Sequence, residues 1–333
     1  MNATKALNLW VITEGIAGTE NQCLGVAERL NDLLPVNITT LRVVLKQPWK
    51  TLSPYIGGGG AHIYAAGSDI PSAPWPDIVI SSGRKAIAPA LHIKKQSKGR
   101  SQVIQLQDPR WAASKFDLVA VPFHDGYRGK NALVSHATPN RVCVSKLREE
   151  AGKWTPPAAW GGAKSQGCVA VLIGGQSKAY DFTAETAATL ITMVKNLAAE
   201  GYHVMVTASR RTGEENYAHL AEELSGNDQI YFWAGEGHNP FFAFLAQADH
   251  IIVTPDSASM LSEAASTGKA VYVLDLPGGN DKFARFHQHM IDIGAAKKIA
   301  PTDLVLDFAP QMVLNDAALI AEKIRELIAD NCA

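Results

Sequence analysis

The chain has only four cysteines, Cys23, Cys143, Cys168 and Cys332, widely separated and with no Cys-x-x-Cys pair. That spacing supports neither a zinc cluster nor a dense disulfide framework, and a reducing compartment fits it best. Long apolar runs are missing too. The N-terminal run Leu7 to Ile12 is far short of a signal-peptide core or of the ~20 residues that cross a bilayer. We therefore expect a cytoplasmic chain without a transmembrane segment, peripheral at most to a membrane. Lys and Arg number 31 against 32 Asp and Glu, for a net charge of -1, so a basic groove for nucleic acid is not expected. No Asp-x-Asp and no His/Cys cluster offers metal ligands, and metal independence is expected. Neither G-x-G-x-x-G nor a Walker A sequence occurs, so a nicotinamide dehydrogenase or P-loop NTPase lacks its fingerprint. No cofactor is expected.

Short apolar runs ending in Gly, Ser, Thr or Asp alternate instead with helical patterns, the signature of βαβ units and parallel sheet. Strands are predicted near Leu7–Thr13, Ile38–Val44, Ile78–Ser81, Gln102–Leu106 and Leu118–Val121, and again near Cys168–Ile173, His203–Thr207, Ile230–Phe232, Ile251–Thr254 and Ala270–Leu274. At 333 residues, two domains of about 150 residues each are the natural division. The expected fold class is α/β: two Rossmann-like domains facing across a cleft, residues 1–150 and 164–310. Pro156, Pro157, Gly161 and Gly162 mark Ser145 to Ala163 as the linker, and the stretch 311–333 holds a helix expected to cross back to the first domain.

The segment His250 to Leu274 reads as strand, hydroxyl-rich turn, short helix, Gly-Lys break and second strand. Its helix is expected to start near Asp256 to Ser259, where free backbone N–H groups and the positive end of the dipole favour an anion. Ser257, Ala258 and Ser259 would hold a diphosphate, and Glu263, on the face of Ser259 at i, i+4, would accept two hydrogen bonds from a ribose diol. Ordinary capping explains Asp and Ser equally well. It leaves Glu263 unexplained, because a capping box would put Ser or Thr at the position of Met260.

Three strand ends in the second half carry small, hydroxyl or basic residues: Gly174 and Gly175 with Lys178, Ser209 with Arg210 and Arg211, and Pro255 to Ser259. In an open parallel sheet such ends converge on one crevice. The glycines would let a ligand approach the backbone, or simply form a tight turn. Lys178, Arg210 or Arg211 could offset charge on a departing diphosphate. Lys282, Arg285 and His287, on the helix after the last strand, could face a sugar, although a histidine on such an amphipathic helix is more often a surface or packing residue. In the first half, Glu14, Asp108, His124 and Asp125 all follow predicted strands and are the candidate general bases, with Asp125 placed first. Each has an alternative as a turn or cap residue. The Gly57 to Gly60 run is expected to be an acceptor or membrane-contact loop, or a plain loop.

Motifs spread along nearly the whole chain resemble the "elongated mitochondria" type of mitochondrial-fission family. They are Glu14-Gly-x-x-Gly-Thr-Glu-Asn-Gln22, Gly83-Arg84, Gln107-Asp-Pro-Arg110, Pro122-Phe-His-Asp125, Gly174-Gly-Gln-Ser-Lys178, Thr207-Ala-Ser-Arg-Arg211, Gly235-Glu-Gly-His-Asn-Pro240, Asp256-Ser-Ala-Ser-Met260 and Lys282-Phe-Ala-Arg-Phe-His287. The resemblance implies an adaptor that recruits a protein partner, or a bacterial relative of loosely assigned chemistry. The second half also resembles the donor domain of GT-B glycosyltransferases such as the peptidoglycan N-acetylglucosaminyl transferase, through its Gly-Gly loop, Ser-rich turn, helical Glu and Gly294-Ala-Ala296. That likeness implies a nucleotide-diphosphate-sugar donor on the second domain and an unknown acceptor on the first. The Gln pair that contacts the donor sugar there has no counterpart near Phe283 and Ala284. A nucleotide-sugar epimerase would use the same architecture.

Overall fold

The computed structural model describes residues 6–53, 55, 60–161 and 165–332. Most of the Gly57 to Gly60 run, and the end of the expected linker from Gly162, lie outside them. The chain divides into two compact units, 1–141 with 315–333, and 142–314.

In the first unit a parallel sheet of order β2-β1-β3-β4-β5-β6 is formed by β1 (Leu7–Thr13), β2 (Val36–Arg42), β3 (Ile78–Ser82), β4 (Gln102–Leu106), β5 (Leu118–Pro122) and β6 (Ala132–Ser135). Helices α1 (Ala17–Leu33), α2 (Trp49–Leu52) and α3 (Ile87–Gln96) connect its early strands. The central strands β3, β4 and β5 are buried almost throughout, and largely apolar, because side chains alternate between two covered faces. Ile78 and Ile80 pack with Leu9, Val11 and Leu30 on one face, while Val79 joins Ile12, Ile87 and Ile93 on the other.

In the second unit α4 (Val144–Ala151) precedes a parallel sheet of order β12-β11-β10-β7-β8-β9. Its strands are β7 (Cys168–Ile173), β8 (His203–Ala208), β9 (Ile230–Phe232), β10 (His250–Val253), β11 (Ala270–Leu274) and β12 (Lys297–Ile299). Between them run α5 (Ala184–Ala199), α6 (Glu214–Leu224), α7 (Phe241–Gln247), α8 (Ala258–Ala265) and α9 (Asp281–Asp292). Val169, Val171 and Ile173 on β7 meet Leu190, Val194 and Leu197 on α5.

Helix α10 (Asp316–Cys332) returns to the first unit, where Ile320 and Ile324 join the cluster under β1 and β3. Both carboxylate oxygens of Asp316 accept backbone N–H groups after β6, from His136 and Ala137, each at 3.0 Å.

The segment expected as linker behaves otherwise. Its first part is α4, which packs on α7 inside the second unit, and the chain passes between units ahead of it, at Arg141 and Val142. Buried Glu150 explains the anchoring: Lys146 Nζ, Lys153 Nζ and His238 Nε2 each lie 2.8 Å from its carboxylate. Burial pushes its pKa up, but the three partners more than offset this and bring it down to about 2.

Candidate functional site

In each sheet the strand order reverses once, between β1 and β3 and between β7 and β10. Crevices outside the carboxyl ends of strands at such reversals are where open α/β sheets bind ligands. In the second unit the residues at the reversal are Gly174 and Gly175 after β7, and Thr254 to Ser257 after β10.

These two strand ends are tied directly to each other. Gly174 N donates to Thr254 Oγ1 at 2.7 Å, Gly175 N donates to Asp256 Oδ2 at 2.9 Å, and Thr254 Oγ1 donates to Asp256 Oδ1 at 2.7 Å. The end of β8 joins in. Arg211 Nη2 lies 2.8 Å from Asp256 Oδ2, and Ser209 Oγ and Thr212 Oγ1 both donate to the Gly174 carbonyl, at 2.8 and 2.6 Å. The glycines are small for a reason different from the expected one. A Cβ on Gly174 would overlap the Asp256 carboxylate, and one on Gly175 would overlap the Arg211 backbone. Their amides face protein acceptors, so the pair closes the three strand ends together.

The next element is open. Helix α8 starts one residue after its N-cap Ser257, whose Oγ accepts Met260 N at 3.3 Å. The half-buried amides of Ala258 and Ser259 have no acceptor among the described residues. One turn on, Glu263 is 7% exposed and its carboxyl has no hydrogen bond or ion pair there either. Burial alone raises its pKa from 4.5 to about 8. Such a carboxyl is mostly protonated at neutral pH and becomes a strong acceptor if donors arrive.

Of the other expected residues, His287 reaches the turn that precedes this helix. Burial lowers its pKa, partly opposed by a hydrogen bond to the Pro255 backbone, and its Nε2 is buried without a partner among the described residues. It lines a cavity of about 430 Å³ with Tyr180, Asp275, Asn280 and Lys298. Lys178, Arg210, Lys282 and Arg285 are exposed, outside the network that holds Arg211.

In the first unit the four candidate bases fall into two places. Glu14 forms an ion pair with Lys85 and accepts Lys85 N at 3.2 Å, so a cation already occupies it. Asp125 and His124 are buried, with His124 Nε2 4.0 Å from Asp125 Oδ1. Asp125 Oδ2 accepts Asp108 N at 3.3 Å. Asp108 itself is half-buried; its Oδ1 accepts Arg110 N at 2.7 Å, leaving Oδ2 uncommitted among the described residues. It lines a cavity of about 460 Å³ with Gly83, Arg84, Gln105, Gln107, Arg110 and Trp111. Gln107 (φ 73°) and Arg110 (φ 59°) both sit in the left-handed region that non-glycine residues avoid. Such strain concentrates where side chains are held for a purpose.

A family model described as mitochondrial fission ELM1 matches residues 17–328. The chain belongs to that family. The mitochondrial fission protein ELM1 of Arabidopsis thaliana is 29% identical over 277 residues, which covers 76% of this chain and 64% of that protein. The chain thus spans less than two thirds of its length. Uncharacterized protein RP120 of Rickettsia prowazekii is 24% identical over 351 residues, covering 96% of this chain and 98% of that protein. Among solved structures, MurG of Acinetobacter baumannii aligns with a TM-score of 0.52 at 14% identity, covering 96% of this chain and 99% of that one. The UDP-GlcNAc 2-epimerase of Neisseria meningitidis, bound to UDP-GlcNAc, gives 0.59 at 12%, covering 97% and 100%. At such identities the likeness establishes the fold, two Rossmann-like α/β domains of GT-B type.

Sequence reasoning passed over several participants. Thr254 and Thr212 had no motif to mark them. Arg84 and Arg110 stood in the family motifs without a role, and only the cavity they line distinguishes them.

Proposed function

We propose that this chain is a metal-independent glycosyltransferase whose second unit binds a nucleotide-diphosphate sugar and whose first unit binds the acceptor. The reading is carried by Glu263: a buried carboxyl with no protein partner among the described residues, one turn beyond two uncommitted helix-start amides. An unsatisfied buried carboxyl is costly, and a ribose diol would supply the two donors it lacks. The Ala258 and Ser259 amides would hold the diphosphate, with exposed Lys178 and Arg210 as the cations beside it.

In the reaction the bond between the sugar anomeric carbon and the diphosphate oxygen breaks, and its electron pair leaves on the nucleoside diphosphate. The acceptor oxygen bonds to that carbon and loses its proton to a carboxylate. Asp108 suits that role better than Asp125, since it is half-buried and lines the cavity with one oxygen uncommitted among the described residues, whereas Asp125 is buried and outside that lining.

The test is calorimetry with nucleoside diphosphates, followed by incubation with nucleotide sugars and analysis for released diphosphate or an epimer. Binding with diphosphate release supports transfer, and an epimer without release would make the chain an epimerase. One observation favours a non-catalytic adaptor instead: the Gly174 and Gly175 amides and Arg211 are already engaged by Thr254 and Asp256. No nucleotide binding at millimolar concentration would select that reading.

A further inference from the structure

The first-unit cavity holds two arginines on adjacent strand ends, Arg84 after β3 and Arg110 after β4. Both are exposed, and neither side chain has a hydrogen bond or ion pair among the described residues. Other cations nearby are committed. Lys85 pairs with Glu14, and Lys115 lies over the Trp111 ring, 4.3 Å from its centroid. Trp111 is 43% exposed and presents indole surface to the cavity it lines. Gln107 is fixed by donating its Nε2 to Gln22 Oε1 at 2.9 Å, and the left-handed backbone at Gln107 and Arg110 turns the intervening Asp108 into the same cavity. The cavity therefore combines two uncommitted guanidinium groups, an aromatic face and one carboxylate oxygen.

We propose that this cavity binds a phosphate group carried by the acceptor. Paired guanidinium groups match the geometry and charge of phosphate, which each can grip with two N–H donors. Trp111 would cover the ring or chain that bears the phosphate. Asp108 Oδ2 would then receive the proton of a neighbouring hydroxyl as that oxygen bonds to the sugar carbon and the nucleoside diphosphate departs. The acceptor assignment rests on the transferase reading, whereas phosphate binding at Arg84 and Arg110 does not. The phosphate could belong to a soluble phosphomonoester or to a lipid headgroup.

The test follows the indole N–H signal of Trp111 in the full chain, assigned with Trp111→Phe, during titration with inorganic phosphate and with phenyl phosphate. Sedimentation with phosphatidylcholine vesicles, with and without phosphatidic acid, forms the second arm. A saturable Trp111 response that weakens about tenfold or more in Arg84→Gln/Arg110→Gln supports the proposal. Vesicle binding with the same arginine dependence assigns the phosphate to a lipid, and its absence beside a soluble response assigns it to a soluble acceptor. The proposal is overturned if neither arm responds, or if the double variant responds like the parent. Nucleoside diphosphate affinity, measured in parallel and expected to be unchanged in the double variant, reports separately on the second-unit reading.

Discussion

The Arg211 guanidinium lies 2.8 Å from the Asp256 carboxylate, linking the end of β8 to the end of β10 across β7. The two partners are unequal, since the Arg211 side chain is 41% exposed and that of Asp256 4%. Solvent screens the arginine, so Arg211→Gln should cost only about 1 kcal/mol. Asp256→Ala removes the acceptor for Gly175 N and Thr254 Oγ1 in a buried place, and should cost about 3 kcal/mol. Urea denaturation of the two variants checks the order; equal costs would mean that the ion pair, rather than the buried hydrogen bonds, holds the strand ends.

The glycine pair gives a second check. Gly175→Ala places a methyl group on the Arg211 backbone, and Gly174→Ala places one on the Asp256 side chain. Backbone yields less readily than a side chain, so Gly175→Ala should be the more damaging, by about 3 kcal/mol or more against parent. A Gly175→Ala chain of parental melting temperature would contradict the packing described.

Glu263 makes stability depend on pH. Its pKa is about 8 in the folded chain against the ordinary 4.5. Between these values the folded state keeps a proton that the unfolded chain has released, so stability falls as pH rises through this window and levels off above about 8. Glu263→Gln carries no such penalty and should be more stable than parent by about 3 kcal/mol near neutral pH, with little difference near pH 4. Denaturation curves across the window check both the sign and the slope. Equal stability of parent and variant at all pH values would remove the buried-acid account.

Much of this arrangement can be read from residue patterns because buried parallel strands are near-continuous apolar runs. β7 and β11 fall where Cys168 to Ile173 and Ala270 to Leu274 place them, and α8 begins within the expected Asp256 to Ser259 window. Two short edge strands escape, β6 with four residues and β12 with three, whereas β9, equally short, is marked by the apolar run Ile230-Tyr-Phe232. Helix α4 resembles a charged linker because its polar side chains are there to surround Glu150, and their partner His238 lies 88 residues away. The glycine pair misleads for the same reason: Asp256, which requires Gly174 to be small, is 81 residues from the Gly175 amide it accepts. Local sequence carries secondary structure, whereas these contacts arise only when distant strand ends meet.

The anchoring of α10 is a further consequence of such a distant contact. Asp316→Ala leaves the His136 and Ala137 amides without their acceptor and should destabilise the first unit by about 2 kcal/mol. Hydrogen exchange should show faster opening of α10 in this variant, with β7 and β8 unaffected. Uniform loss of protection across both units would argue against a local role.

The most direct measurement is calorimetric titration of the parent and Glu263→Gln with a nucleoside diphosphate at several pH values. Diol donors favour the ionised carboxyl, so parental affinity should rise as pH approaches about 8, with proton release on binding at neutral pH. Glu263→Gln should bind about tenfold more weakly and lose that part of the pH dependence. Parental affinity and proton release retained in Glu263→Gln would contradict the account.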